Sequence, residues 1–527
     1  MSGPNPTKLG LILTGLVLGA TGLIFLKGGI YTNNHAGDVL HMMDIVMRMA
    51  AGERPHIDFM TPLGWLGFAP VVAFLKAGFA MGHAFALGQA LMALVLIPAI
   101  LRASASRLPP VTGGVFAALT VLVVVSLGQG LGGGDLSVSM FYNRWGWAVA
   151  FVAVVLAMLP DRGRPRPALD GAILGIGLGA VAMVKITYLV ALAPALALVL
   201  VLRGERAMLF WALATGTATL LVFVVLLGPA TMLAYLGDLR AVSEAPLRQA
   251  PGKAINDILA SPLTLGQTVV TVGAALALRR SGRRIEGLGL LILFPAFTFL
   301  TWQNFGNVPF WLIPVAAIFA ALWDRDRSLR VAGAGAIGAG ILALPVAFVH
   351  SVTPLQHVAT RADLFVPVVP GVAALADIYQ PANQAFLVQT SRDLNGPEEP
   401  YPADDPRIRR PLDAEFAGRR FPDCTAQSGL QAAFARQGAD MPAEAQVLVA
   451  DILSVVWLYG PSAPVRGGAP WNYGTLDGAE TATHLLVPVC PTSNMARAFV
   501  LDALRPIENN LREVAHRETY TLYEIVR

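Results

Sequence analysis

Charge is scarce in this chain. Asp, Glu, Lys and Arg supply 14% of its 527 residues and hydrophobic types supply 55%, against about 25% and 45–50% in ordinary soluble domains. With a mean hydropathy of +0.59, that much apolar surface exceeds what one water-soluble core can hide, so lipid must solvate much of the chain. Cysteine is scarcer still: Cys424 and Cys490 are the only two. The C-terminal third has no paired CxxC, glycine-rich phosphate loop or nucleophile elbow, which leaves no motif for redox, nucleotide or serine-hydrolase chemistry there. The first apolar run lacks a small-x-small cleavage site and is expected to stay as a first span. The net charge of +4 implies no nucleic-acid partner, because the arginines stand in short runs between apolar segments, where membrane topology accounts for them.

What is present is a ladder of apolar runs. They lie near 8–26, 84–101, 111–130, 146–160, 168–185, 187–202, 207–228, 264–278, 285–301, 308–323 and 331–349. That makes about eleven transmembrane helices at the usual spanning length of about 17–25 residues. Five basic loops punctuate them: RASASR (102–107), DRGRPR (161–166), RGER (203–206), RRSGRR (279–284) and DRDRSLR (324–330). The positive-inside rule puts all five in the cytoplasm. Residues 63–83 are apolar enough for a further span, but counting it would flip every later loop. With Pro70 and Lys76 in its interior, this stretch is expected to be an interfacial or re-entrant helix.

The expected fold class is therefore a polytopic α-helical membrane protein with a C-terminal extracytoplasmic α/β domain. Residues 1–350 form the transmembrane domain, with a long first outer loop at 27–83, and residues 351–527 form the soluble domain. The N-terminus is cytoplasmic, in a bacterial-type inner membrane. In the soluble part QVLVADIL, THLLVPV and TYTLYEIV have strand patterns, and MARAFVLDALRPIENNLREVA has a helical one. An extracytoplasmic setting lets Cys424 and Cys490 form a disulfide; two buried thiols are the alternative.

The first outer loop, YTNNHAGDVLHMMDIVMRMAAGERPHIDFMTPLGW, is the richest in polar residues. Residues 38–51 have helical spacing, with Asp38, His41, Asp44 and Arg48 near one face, as for an amphipathic helix lying on the outer surface. Asp44 is placed to pair with Arg48 at i, i+4. Asp38, after Gly37, also suits a helix cap. His35, Asp38, His41, Asp44, His56 and Asp58 crowd the loop, and such ligands suit a divalent metal. No HExxH spacing occurs, so structural polar residues are favoured over a metal.

This loop resembles the corresponding loop of the GT-C superfamily, multi-spanning glycosyltransferases that use lipid-phosphate sugars, among them mannosyltransferase-like and aminoarabinose-transferase-like members. The matching positions are Asp38, then Gly52 and Pro55, then Asp58 with Phe59, then Pro62 and Gly64. Many members carry two adjacent acids at the first motif, whereas Val39 follows Asp38 here. The resemblance implies a polyprenyl-phosphate-linked sugar as donor, a lipid, glycan or protein as acceptor, and Asp38 as the base that takes the acceptor proton. It also implies cations at the carrier phosphate. Lys185, which interrupts an apolar run, and Arg144, in FYNRWGW, are the candidates. The alternatives are a snorkelling lysine and an aromatic belt with an anchoring arginine. His56, Asp58 and Asp44 are expected in the substrate pocket. Gln303, Asn304 and Asn307 in WQNFGN either bind sugar hydroxyls or satisfy a turn. The mixed charges of 229–263, Asp238 among them, suit solvent. A transporter or lipid flippase, and a non-catalytic envelope scaffold, are the competing classes; no convincing repeat favours the transporter.

Overall fold

The computed structural model describes residues 5–130, 135–245, 247, 254–304, 307–385, 388–390, 414–421 and 425–527. The chain divides into two compact units. One comprises 1–30, 63–229 and 250–360; the other comprises 31–62, 230–249 and 361–527.

The first unit is helical, and each of the eleven expected apolar runs is a helix. Among the described residues six helices are long and apolar enough to cross a membrane: Pro6–Lys27, Met81–Arg107, Phe141–Met158, Arg206–Leu227, Arg284–Gln303 and Arg330–Ala359. Pro110–Val125, Pro167–Ala182 and Ile186–Leu202 are shorter apolar helices. Pro262–Arg280 and Leu312–Arg325 complete the set. The chain is thus a polytopic α-helical membrane protein.

Burial sorts these helices. The apolar window of Phe141–Met158 is 94% buried and that of Arg206–Leu227 only 6%, so the first is the axis of the bundle and the second presents its sides to lipid. Arg206–Leu227 is held through a glycine stripe on Pro167–Ala182. A Cβ at Gly171 would lie 2.3 Å from the Met208 carbonyl oxygen, and one at Gly175 2.2 Å from that of Ala212. Only glycine lets the two backbones approach so closely, and that approach replaces the hydrophobic driving force that lipid cannot supply.

The stretch at 63–83 is not a span. It holds a single 3-10 turn, Trp65–Gly67, and the helix Ala69–Lys76 of 8 residues, closed at Gly78 with φ +94°. At about 1.5 Å per residue such a helix covers roughly 12 Å of a ~30 Å hydrocarbon core.

The five basic loops meet at one end of this unit. Arg102 and Arg107 bracket Asp161 and Asp170, with N–O distances from 2.5 to 2.7 Å. Arg162 pairs with Asp324 at 2.8 Å, and Arg283 with Asp326 at 3.5 Å. Arg203 donates to the Met158 carbonyl at 2.6 Å. Helices that start or finish at these loops therefore carry their other termini to the opposite end.

In the second unit, strands Leu511–His516, Tyr520–Ile525, His484–Pro488 and Val447–Val449 lie side by side in that order. The first three are antiparallel and the last pair parallel. Leu448, Leu485, Val487 and Tyr523 from the sheet bury against Val500, Leu501 and Leu504 of the helix Asn494–Leu504. Three expected strands are present. The expected helix of 495–515 is shorter: Ser493 caps its start, Pro506 follows its end, and Leu511–His516 pairs as a strand. Proline has no N–H to carry a helix on, and the free hairpin partner takes the alternating segment that follows.

The helix Ala36–Ala50 belongs to this unit and is not a surface helix. Val39, Leu40, Met42, Met43, Ile45 and Val46 are buried, and so are His41, Asp44 and Arg48. The C-terminal residues cover its polar face: the His41 ring lies 5.4 Å from that of Trp471, and Arg48 donates to the Val465 carbonyl at 2.8 Å. Tyr31 stacks on Tyr379 with centroids 4.5 Å apart, which ties the start of the loop to the same unit.

Candidate active site

The expected cations come together in the first unit. Pro167–Ala182 begins at the basic end and stops at the other, where Met183, Val184 and Lys185 break the path before Ile186–Leu202. Two backbone bonds stitch the break: Gly64 N–H to Val184 O at 3.2 Å and Leu66 N–H to Met183 O at 2.8 Å. Gly64 is required, since a Cβ there would stand 2.2 Å from Met183 O. Lys185, in extended backbone at this break, donates to Asn143 Oδ1 at 3.0 Å and to Asn304 Oδ1 at 2.5 Å. The Asn304 amide donates onward to the Tyr188 hydroxyl at 3.1 Å.

Arg144 follows Asn143 in the first turns of Phe141–Met158. Its guanidinium is buried and donates to Gly128 O at 3.0 Å. The Gln89 side-chain amide lies 3.4 Å away. Among the described residues no carboxylate pairs with it, and its buried Nε has no partner. A buried arginine at the positive end of a helix, without a counter-charge, carries a desolvation cost that an anion would relieve. Gln129, Asn143, Arg144, Trp147, Asn304 and His350 line one cleft here. Asn307 is spent elsewhere: its amide donates to Thr301 O at 3.0 Å, closing the end of Arg284–Gln303. Gln303 is the last residue of that helix.

The expected acids lie in the second unit. Asp38 is half-buried in the first turn of Ala36–Ala50; the N-cap position belongs to His35, at φ +61°. Asp44 is fully buried and accepts from Trp457 Nε1 at 2.9 Å. Arg48 does not pair with Asp44 but turns to Glu53 at 2.7 Å. Burial pushes the Asp44 carboxyl up to about 7, against the opposing pull of Arg48 and the Trp457 bond. Burial holds the neighbouring His41 down at about 3, so it stays neutral at ordinary pH.

Asp58 closes its own turn, accepting the Arg54 backbone N–H at 2.7 Å. His56 has φ +71° and holds Asp238 through Nδ1 at 2.9 Å, with the Tyr235 ring 4.6 Å from its own. Asp238 is therefore not one of a set of solvated charges, and it also accepts the Thr61 N–H at 3.1 Å. Its sequence neighbours gave no sign of this, because its partner stands 182 residues away.

Among the described residues no group of three or more His, Cys, Asp or Glu could hold a metal. Cys490 is disulfide-bonded, whereas Cys424 lies outside the described residues.

No family model and no curated protein matches the chain. The apo crystal structure of ArnT from Cupriavidus metallidurans aligns over 98% of both chains at 12% identity, with a TM-score of 0.43. Likeness at that level carries no argument about activity.

Proposed function

We propose that the protein is a membrane glycosyltransferase that moves a sugar from a polyprenyl-phosphate carrier to a lipid, glycan or protein acceptor outside the cytoplasm. The observation that carries this reading is the cleft lined by Arg144, Asn143 and Asn304, the last two of which hold Lys185, at the end of the helical unit away from the basic loops. A guanidinium with no acid partner among the described residues fits a phosphate ester, because its planar fork gives two hydrogen bonds at once. The amides of Asn143 and Asn304 fix the ammonium group beside it.

In the proposed reaction the acceptor hydroxyl attacks the anomeric carbon with inversion, and Asp38 takes its proton. The bond from that carbon to the phosphate oxygen breaks, and the electron pair leaves with the carrier phosphate. Arg144 and Lys185 stabilise the charge that develops there. Asp38 suits the base, since it is half-buried rather than sealed in the unit as Asp44 is. His56 and Asp58 are proposed to shape the pocket. Positive-inside orientation puts the N-terminus in the cytoplasm and the second unit outside.

The test is mass spectrometry of envelope lipids and glycans from cells with the gene deleted, restored, or restored as Asp38→Asn. A glycan should be lost on deletion, return with the native gene and stay absent with the variant, by about 100-fold or more for a removed base. Full recovery with Asp38→Asn removes the base assignment.

A further inference from the structure

The proposed carrier-phosphate cleft has a second face that the reaction as written leaves unused. His350 is fully buried in Arg330–Ala359 and stands in the same cleft as Arg144. Its Nδ1 lies 2.7 Å from Ser126 Oγ, and its Nε2 is buried with no partner among the described residues.

The hydrogen bonds around Ser126 decide which nitrogen carries the proton. Ser126 Oγ already accepts the Gly128 N–H at 2.8 Å, and Thr353 Oγ1 accepts the Leu127 N–H at 3.3 Å. The two hydroxyls are 3.0 Å apart. Each hydroxyl has one proton to give. The arrangement that uses both runs from Thr353 to Ser126 and from Ser126 to His350 Nδ1. Nδ1 is then an acceptor, the ring is neutral, and the proton sits on Nε2.

We infer that His350 is an anion-binding residue of this cleft, a neutral N–H donor fixed by the Thr353–Ser126 chain, which grips a phosphate monoester together with Arg144. A neutral donor adds a hydrogen bond without a second buried charge beside the arginine. It would also hold the departing phosphate by the same bond before and after the sugar leaves. This rests on the proposed carrier-phosphate reading, but it concerns a different residue and can fail separately.

The experiment is calorimetric titration of the full-length protein in nanodiscs with farnesyl phosphate and, in parallel, with inorganic phosphate. His350→Ala should weaken farnesyl phosphate binding roughly tenfold, as for a lost hydrogen bond to a charged group. His350→Gln, whose amide keeps a donor near Nε2, should recover most of it. Ser126→Ala should show a smaller loss, together with a change in the ¹⁵N shift pattern of the His350 ring as the tautomer is released. If farnesyl phosphate binds and His350→Ala binds it as tightly, the inference falls and the carrier reading stands. If only inorganic phosphate binds, and through His350, the inference stands and the lipid carrier falls. Binding of neither ligand removes both.

Discussion

Asp44 makes the stability of the second unit depend on pH in a direction opposite to that of most carboxylates. Burial raises its pKa to about 7 from an ordinary 3.8, with Glu53 adding to the rise and Arg48 and Trp457 opposing it. The folded unit therefore holds the Asp44 proton more tightly than the unfolded chain does. The stabilisation is complete below about pH 4 and is lost as pH rises through about 7, and the difference of roughly 3 units corresponds to about 4 kcal/mol at most. The perturbation is Asp44→Asn, which keeps a carbonyl for the Trp457 N–H and removes the titration. Unfolding of the full chain in detergent, followed by hydrogen exchange of residues 36–50 between pH 5 and pH 8, reads the effect. Relative to the variant, the native protein should lose protection as pH rises across this range, so that at pH 8 the variant is the more protected. His41, held near 3 in the fold against an ordinary 6.5, contributes a slope of the opposite sign below about pH 6.5, but it does so equally in both proteins, so the difference between native and variant isolates Asp44. Asp451 and Asp477, both raised mainly by burial, contribute a slope of the same sign that Asp44→Asn leaves in place. Equal pH slopes for the two proteins, or a variant that is weaker at pH 8, would refute the reasoning.

Two further perturbations test the helical unit. Gly64→Ala puts a Cβ 2.2 Å from Met183 O, whereas Gly67→Ala meets nothing nearer than Val184 O at 3.5 Å. The first should cost about 3 kcal/mol, as for an overpacked backbone contact, and raise exchange at 183–188, while the second should be tolerated; equal thermal shifts would show that the stitched break is not rigid. Asp170→Asn leaves Arg102 and Arg107 to share Asp161, and breaking such a buried set should lower stability by about 3–5 kcal/mol. Thermal unfolding in detergent checks this, and an unchanged midpoint would mean that water already reaches the charges.

The apolar runs by themselves determined the helices, since spanning segments must satisfy their backbone internally and cannot be other than apolar over that length. The arginine spacing determined which loops share an end, and the structure joins those loops through Asp161, Asp170, Asp324 and Asp326. The same charge pattern excluded a span at 63–83. Lys185 and Arg144 were legible as misfits, because an ionised group in an apolar setting needs a partner. Tertiary structure alone decided what those partners are. Asn304 reaches Lys185 from 119 residues away, and Ser126 reaches His350 from 224. The polar face of Ala36–Ala50 carried no mark to distinguish a surface from an interior, because amphipathic spacing says only that two faces differ. Trp457 and Val465 decide that its charged side is buried, and no periodicity in residues 36–50 records a partner from the far end of the chain.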